Sequence, residues 1–445
     1  MIGAHTGRDG KAYGIRFAVA LPAQWNGRLL YQGGGGLNGS VQPPLGTVAA
    51  GATPALARGF AVVSSDSGHE STGFDASFLG DQQAALDFLY QSIGKVMAAA
   101  RPIITAHYGM SATRSYFVGC STGGREAMIS AQRYPQEFDG IVAGDPAMRT
   151  NYSNLALRWV TASLNAAAPK DAQGHFLTAQ ALSDSDRRLV VDGLLQTCDA
   201  LDGVRDGMIF DSKGCGFDPK VLECKGAKSE NCLSAIQVSA IERAFAGPKT
   251  ASGRQVYPGF AYDTGIAASG RGIPGLLSGG RPPEGGMVNG SALDANAEAA
   301  IAHDAREMMG DTDAWTNLSS FTAHGGKLIF YHGLSDPWFS PLETVRYYTA
   351  LGADPSAGTG PVTDWSRLFL VPGMAHCGGG EATLDHFDML SAIVAWVEQD
   401  QAPSQVIATG AAYPGRSRPL CPYPQHAQYK GQGDSESAAN FSCRE

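Results

Sequence analysis

The chain has 445 residues, 43% hydrophobic and 17% charged, enough apolar material for a sizeable core and too much for global disorder. At about 150 residues per domain it holds two or three domains, or one domain with a large insertion. A formal net charge of −9, with no Lys/Arg run, excludes the basic footprint of a nucleic-acid or anionic-lipid binder. No run of about 18 apolar residues marks a membrane-spanning helix.

The first third alternates strands and helices. Tyr13 to Leu21 places Ile15, Phe17, Val19 and Leu21 on one face, as a half-buried strand does. Arg28 to Gln32 is a short strand running into Gly33-Gly34-Gly35-Gly36, and Gly59 to Ser64 is a buried strand. Gln82 to Ala100 has helical composition. Tyr116 to Val118 is a strand, Gly124 to Arg133 a helix, and Ile141 to Ala143 a further strand. This order implies an α/β fold with a mostly parallel sheet.

From about Thr150 to His324 the character changes to acidic turns, four cysteines and Gly/Pro-rich runs. That stretch is expected to be an inserted domain, between a core part spanning 1–149 and a second spanning 325–445. The sheet pattern returns at Lys327 to Tyr331 and Arg367 to Val371. Leu384 to Val397 carries one apolar stripe and is expected to be the final helix, with His386 on it.

Gly119-Cys120-Ser121-Thr122-Gly123 fits G-x-S-x-G between a strand and a helix-forming run. That is the context of a nucleophile elbow, where small residues permit a sharp turn and the helix N-terminus favours developing negative charge. Such a serine needs a base and an orienting acid, in the chain order Ser, Asp, His. Asp336 and His376 each sit in the loop just past a strand, where open α/β sheets place their sites. His332 precedes the acid and is a weaker candidate base. A glycine run like Gly33 to Gly36 supplies an oxyanion N–H in lipase-type hydrolases, so Gly34 or Gly35 is expected to act with the N–H of Thr122. A phosphate loop is the competitor, and the run lacks the Gly-Lys-Ser/Thr ending.

Cys120 and Cys377 adjoin Ser121 and His376, so contact within the triad would bring the two sulfurs together. A bridge is favoured there over two buried thiols. With eight cysteines and no C-x-x-C pair, the chain fits an oxidising compartment. The start, Met-Ile-Gly-Ala-His, has no signal-peptide pattern, and the expectation is a secreted or periplasmic protein whose leader is absent from this chain. Asp199, Asp202 and Asp206 stand among glycines, with the carbonyls of Val204 and Met208 available as further oxygen ligands. A hard cation would suit them. Taken alone, the run reads rather as Asp-Gly turns on a solvated loop.

Together these residues resemble the tannase/feruloyl esterase family of α/β-hydrolases, over nearly the whole chain. The most specific stretches are Gly119-Cys-Ser-Thr-Gly-Gly-Arg-Glu-Ala127, Gln132-Arg-Tyr-Pro135 and Phe138-Asp-Gly-Ile-Val-Ala-Gly144. Gln32-Gly-Gly-Gly-Gly36 and Ser64-Ser-Asp-Ser-Gly-His69 are also similar to the family. The resemblance implies a Ser121–Asp336–His376 triad, a Cys120–Cys377 bridge and a lid formed by 150–324. It implies a structural Ca²⁺ held in the lid by Asp199, Asp202, Val204, Asp206 and Met208. It also implies pairings Cys198–Cys215, Cys224–Cys232 and Cys421–Cys443. The implied activity is hydrolysis of aromatic carboxylic esters of hydroxycinnamate type, with galloyl esters or a terephthalate half-ester as alternatives. A peptidase or a non-catalytic binding module on the same fold ranks lower. The expected partner is a small aromatic ester. Trp338 and Phe339 either line its pocket or pack beneath the loop. Arg271 and Arg281 are the lid arginines available to a substrate carboxylate.

Overall fold

The computed structural model describes residues 1–266, 272–274, 288, 290–303 and 307–445. Its centre is a seven-stranded sheet in the order β3 (Phe17–Ala20), β5 (Ala61–Ser65), β4 (Arg28–Gln32), β6 (Arg114–Cys120), β7 (Gly140–Gly144), β8 (Lys327–Gly333), β9 (Ser366–Val371). Only the β3–β5 pair is antiparallel; every other pair is parallel, as the alternating sequence requires. The strands read as continuous apolar runs because both faces are covered. Leu29, Tyr31, Phe117, Ile141, Phe330 and Leu368 face one core with helices α2 (Ser92–Tyr108), α3 (Thr122–Arg133) and α9 (Pro341–Ala353). Their neighbours Leu30, Tyr116, Val118, Val142, Ile329 and Phe369 face the other, against α10 (Met389–Gln399).

Two predicted elements differ. The strand expected over Tyr13 to Leu21 breaks at Arg16, whose N–H and Nε both donate to the buried Asp66 carboxylate at 2.9 and 2.8 Å. β2 (Ala12–Ile15) therefore pairs with β1 (Ile2–Thr6), outside the central sheet, while β3 joins it. Helix α10 starts at Met389, where the Asp388 side chain caps it by accepting from the Ser391 N–H. Leu384 and Phe387 precede the helix yet are buried, so their apolar pattern marked core and not helical phase. His386 lies in a bridge to Thr409, not on the helix.

Between β7 and β8 the chain leaves the sheet. The described residues of 150–324 contribute none of its strands. Helices α4 (Thr150–Asn165), α5 (Asp184–Cys198) and α6 (Ala235–Ala246) pack Leu157, Val160, Val190, Leu194, Ile241 and Phe245 into a core of their own. Capping boxes start two of them: Ser183 with Asp186, and Ser234 with Gln237. All eight cysteines are paired, as Cys120–Cys377, Cys198–Cys215, Cys224–Cys232 and Cys421–Cys443. Among the described residues no helix is long and apolar enough to cross a membrane.

Candidate active site

Ser121 stands between β6, the middle strand of the sheet, and α3, with φ 64° and ψ −123°. A β-carbon here is strained, and the turn is held by backbone bonds from Ser121 N–H to Gly144 O and from Ala147 N–H to Ser121 O. The flanking glycines are required by close approach. A β-carbon on Gly123 would lie 2.6 Å from Gly34 O, and one on Gly33 would lie 2.7 Å from Gly123 Cα. The glycine run thus packs directly on the start of α3.

The loops after β8 and β9 carry Asp336 and His376. His376 Nδ1 lies 2.7 Å from Asp336 Oδ2, and Asp336 Oδ1 accepts the N–H groups of Trp338 and Phe339 at 2.8 and 3.2 Å. Burial alone would push the Asp336 carboxyl up; His376 and His332 outweigh it and hold it below the usual carboxylate range. Burial likewise works against a charged His376, and the Asp336 carboxylate overrides it and holds the imidazole above its ordinary value. The Cys120–Cys377 bridge, with Cα atoms 5.9 Å apart, joins the residue before Ser121 to the residue after His376.

Of the other predicted residues, Trp338 is half-buried and stacks on His376 with ring centroids 5.7 Å apart and planes at 10°. Phe339 is buried and tilts against the same ring at 5.4 Å. Thr122 is buried, and its hydroxyl donates to Gly36 O. The Gly34 N–H donates to Glu126 Oε2 at 2.9 Å. Arg271 and Arg281 lie outside the described residues.

In the acidic loop, Asp199 accepts the N–H groups of Asp206 and Gly207, and Asp206 is paired with Arg418. The oxygens of Asp199, Asp202 and Asp206 are not gathered within 4.8 Å of one another. Asp202 Oδ2 is buried without a hydrogen-bond partner, and burial, with Asp206 and Asp199 nearby, pushes that carboxyl up to about 7.

Sequence reasoning missed three supporting groups. Glu126, on the inner face of α3, accepts from Gly34 N–H, from Asn38 Nδ2 at 2.7 Å and from Ser67 Oγ at 3.1 Å. Phe74 meets Trp338 at 5.3 Å between centroids and also approaches the glycine run at Gly36. Asp263, in the 150–324 segment, accepts from Ser335 Oγ and Gly373 N–H, each at 2.7 Å. One signal is shared. Seven described non-glycine residues have positive φ, and five of them are Ser121, Asp145, Cys377, Asn38 and Ser67. Backbone strain is concentrated around this site, as it is at functional sites generally.

A serine on a strained elbow of a parallel sheet, its loop bridged to the loop of a histidine–carboxylate pair, is the arrangement of an α/β-hydrolase. The model of the tannase and feruloyl esterase family matches residues 1–274 and 289–444, and the chain belongs to that family. It is 39% identical to the mono(2-hydroxyethyl) terephthalate hydrolase of Piscinibacter sakaiensis, over 99% of this chain and 83% of the relative. It is 30% identical to a probable feruloyl esterase B-2 of Aspergillus terreus, over 96% of this chain and 83% of that one. Among solved structures it resembles feruloyl esterase B from Aspergillus oryzae, with TM-score 0.78, 26% identity and coverage of 97% of this chain and 87% of that one.

Proposed function

We propose that this protein hydrolyses aromatic carboxylic esters through a Ser121–His376–Asp336 triad. The observation that carries the reading is the Cys120–Cys377 bridge, which brings the serine loop to the histidine loop while His376 Nδ1 already bonds to Asp336. Asp336 holds the Nδ1–H tautomer, leaving Nε2 as the base. His376 takes the Ser121 proton as the oxygen attacks the ester carbonyl, then gives it to the departing alkoxide. Water, activated in the same way, releases the acid from the acyl-enzyme. The oxyanion is received by the N–H groups of Thr122 and Gly35, since the Gly34 N–H is committed to Glu126.

The half-buried Trp338 beside His376, with Phe74 next to it, gives a flat apolar wall for an aromatic acyl group. A hydroxycinnamate ester is the first substrate class. A terephthalate half-ester is the second reading, favoured by the 39% identity to an enzyme of that name. Residues 150–324 act as the lid. Four disulfides fit a chain that works in an oxidising compartment.

The buried, unpartnered Asp202 oxygen supports a structural calcium, which would have to draw in the Asp199 and Asp206 oxygens that do not converge here. Asp199, Asp202 and Asp206, with the carbonyls of Val204 and Met208, would hold it, and the ion would brace the lid loop without entering the reaction.

Hydrolysis of methyl ferulate, methyl gallate, mono(2-hydroxyethyl) terephthalate and p-nitrophenyl acetate by wild type and Ser121→Ala tests the reading. Turnover of an aromatic ester that the variant loses supports it. Equal activity in both sinks it.

A further inference from the structure

The catalytic acid is gripped from two sides. Its Oδ2, the oxygen that orients His376, also lies 3.2 Å from Nε2 of a second histidine, His332, which is completely buried at the end of β8. His332 Nε2 faces only oxygens: Asp336 Oδ2, the Phe339 carbonyl at 3.1 Å and Asp145 Oδ1 at 3.7 Å. That nitrogen must therefore carry the hydrogen. Its Nδ1 lies 2.8 Å from the Thr344 hydroxyl, which can either donate or accept.

Behind His332 stands Asp145, also fully buried, at the strained end of β7 with φ 36°. Asp145 Oδ1 accepts the Gly333 N–H at 2.9 Å, which ties it to the strand that carries His332. Its Oδ2 touches the bridged sulfur of Cys120 at 3.5 Å. The site thus places two carboxylates and two imidazoles in one row, Asp145, His332, Asp336, His376, buried up to the half-buried His376.

We propose that His332, held by Asp145, is a positioning residue of the catalytic acid: it donates to the Asp336 oxygen shared with His376 and so sets how basic that carboxylate is. The proposal rests on the triad reading above. A donor removed from Asp336 leaves its carboxylate more basic. It then holds the His376 imidazolium more tightly, and the base is freed only at higher pH. The directions of the charges agree. Burial works against a charged His332, but Asp145 and Asp336 outweigh it and raise its pKa; Asp145 is itself pushed up by burial, against the opposing pull of His332.

The groups bearing on this row are few. Asp145, Asp336 and His376 act on His332. Tyr331 of β8 faces Asp145. Tyr257 of the 150–324 segment faces Asp336, with Glu343 and Arg149 beyond it. Thr344 of α9 contributes only its hydroxyl.

The test compares kcat and KM from pH 5 to 9 on the best ester of the panel. The proteins are wild type, Ser121→Ala, Asp145→Asn, His332→Gln, and a His332→Leu/Asp145→Asn double variant. The double variant is used because His332→Leu alone strands Asp145 as an unpaired buried carboxylate. The Asp145 carboxylate itself raises His376, so the double variant is read against Asp145→Asn, above whose acid limb of kcat/KM it is expected to lie by about 0.5–1 pH unit. Against wild type the limb should move up by less in His332→Gln, which keeps an N–H, with KM changed less than about twofold in both, as expected when ground-state binding is untouched. Should the double variant fail to fold, His332→Phe/Asp145→Asn, which fills the same space with a ring and still offers no donor, takes its place. A folded double variant whose acid limb coincides with that of Asp145→Asn overturns the proposal, while an inactive Ser121→Ala keeps the triad. Wild-type turnover by Ser121→Ala removes the triad, and this proposal with it.

Discussion

Replacing Glu126 separates the supports of the glycine run from the chemistry. Its carboxylate is buried and accepts three donors: the Gly34 N–H at one oxygen, and Asn38 Nδ2 and Ser67 Oγ at the other. Glu126→Leu leaves these without an acceptor. Asn38 and Ser67 still bond to each other, so about two donors are stranded, at about 1–3 kcal/mol each. The expected loss is about 2–6 kcal/mol. At roughly 2.1 cal/mol/K of unfolding entropy per residue, the 445 residues give about 0.9 kcal/mol per degree, so Tm should fall by about 2–6 °C. Glu126→Gln is predicted to be mild. Its amide oxygen can keep the Gly34 N–H, and its NH₂ can face Asn38 once that amide flips, since Asn38 Oδ1 now has no partner. Burial holds the Glu126 carboxyl above its usual range, so removing the charge also relieves a desolvation cost. The net change should be within about 1 kcal/mol. Activity should divide the two variants more sharply. A loosened glycine run displaces an oxyanion donor, a loss of about 10²–10³ in kcat, in Glu126→Leu and not in Glu126→Gln. Calorimetry and steady-state rates at 25 °C measure both. A Leu variant with wild-type kcat, or a Gln variant as inactive as Leu, refutes the reasoning.

Cys120→Ala/Cys377→Ala opens a bridge spanning 257 positions, worth about 5 kcal/mol in the chain-entropy model, and Tm should drop by about 5 °C. Its kcat should fall by about 10²-fold or less, the cost of misplacing the base by about an ångström. Because Asp336 holds the His376 imidazole above its ordinary range, kcat/KM should decline on the acid side at a higher pH than a free imidazole would give, as the base becomes protonated; a limb at or below that of a free imidazole contradicts the coupling. Chelating calcium should lower Tm by about 3 °C, the effect of an ion present at about a hundred times its Kd, and leave kcat at 25 °C within about twofold. An unchanged Tm in chelator removes the ion from the acidic loop.

The parallel sheet was legible because its strands are buried on both faces and read as short apolar runs between glycines. The elbow was legible because its glycines are dictated by contact distances of one backbone with another. Arg16 was not, because the break there is made by Asp66, fifty residues away. The start of α10 was missed for a related reason: Leu384 and Phe387 are core residues in extended chain, and burial alone does not distinguish the two periods. In the sequence Glu126 stands out only as part of the Gly119–Ala127 motif. Nothing local to it says that its partners are Gly34, Asn38 and Ser67. His332 reads as a weak candidate in sequence because it precedes the acid in the chain, although an i, i+4 spacing across a strand end brings it onto Asp336.

The loops that carry the reactive groups have little regular structure of their own, and the site solves this by cross-bracing. The serine loop is bridged to the histidine loop through Cys120 and Cys377. The acid loop is joined to the histidine loop by Ser335 N–H on the Met374 carbonyl at 3.0 Å. Asp263 then spans the same two loops from the inserted segment, taking Ser335 Oγ with Gly373 N–H. Donors that stabilise a developing oxyanion help only if they are fixed before the charge forms, since any reorganisation at that moment adds to the barrier. Asp263 therefore makes its own stretch of the inserted segment part of that fixed frame. Substitutions near it should alter kcat through the Asp336–His376 pair, whereas substitutions at Trp338 or Phe74 should alter the choice of ester.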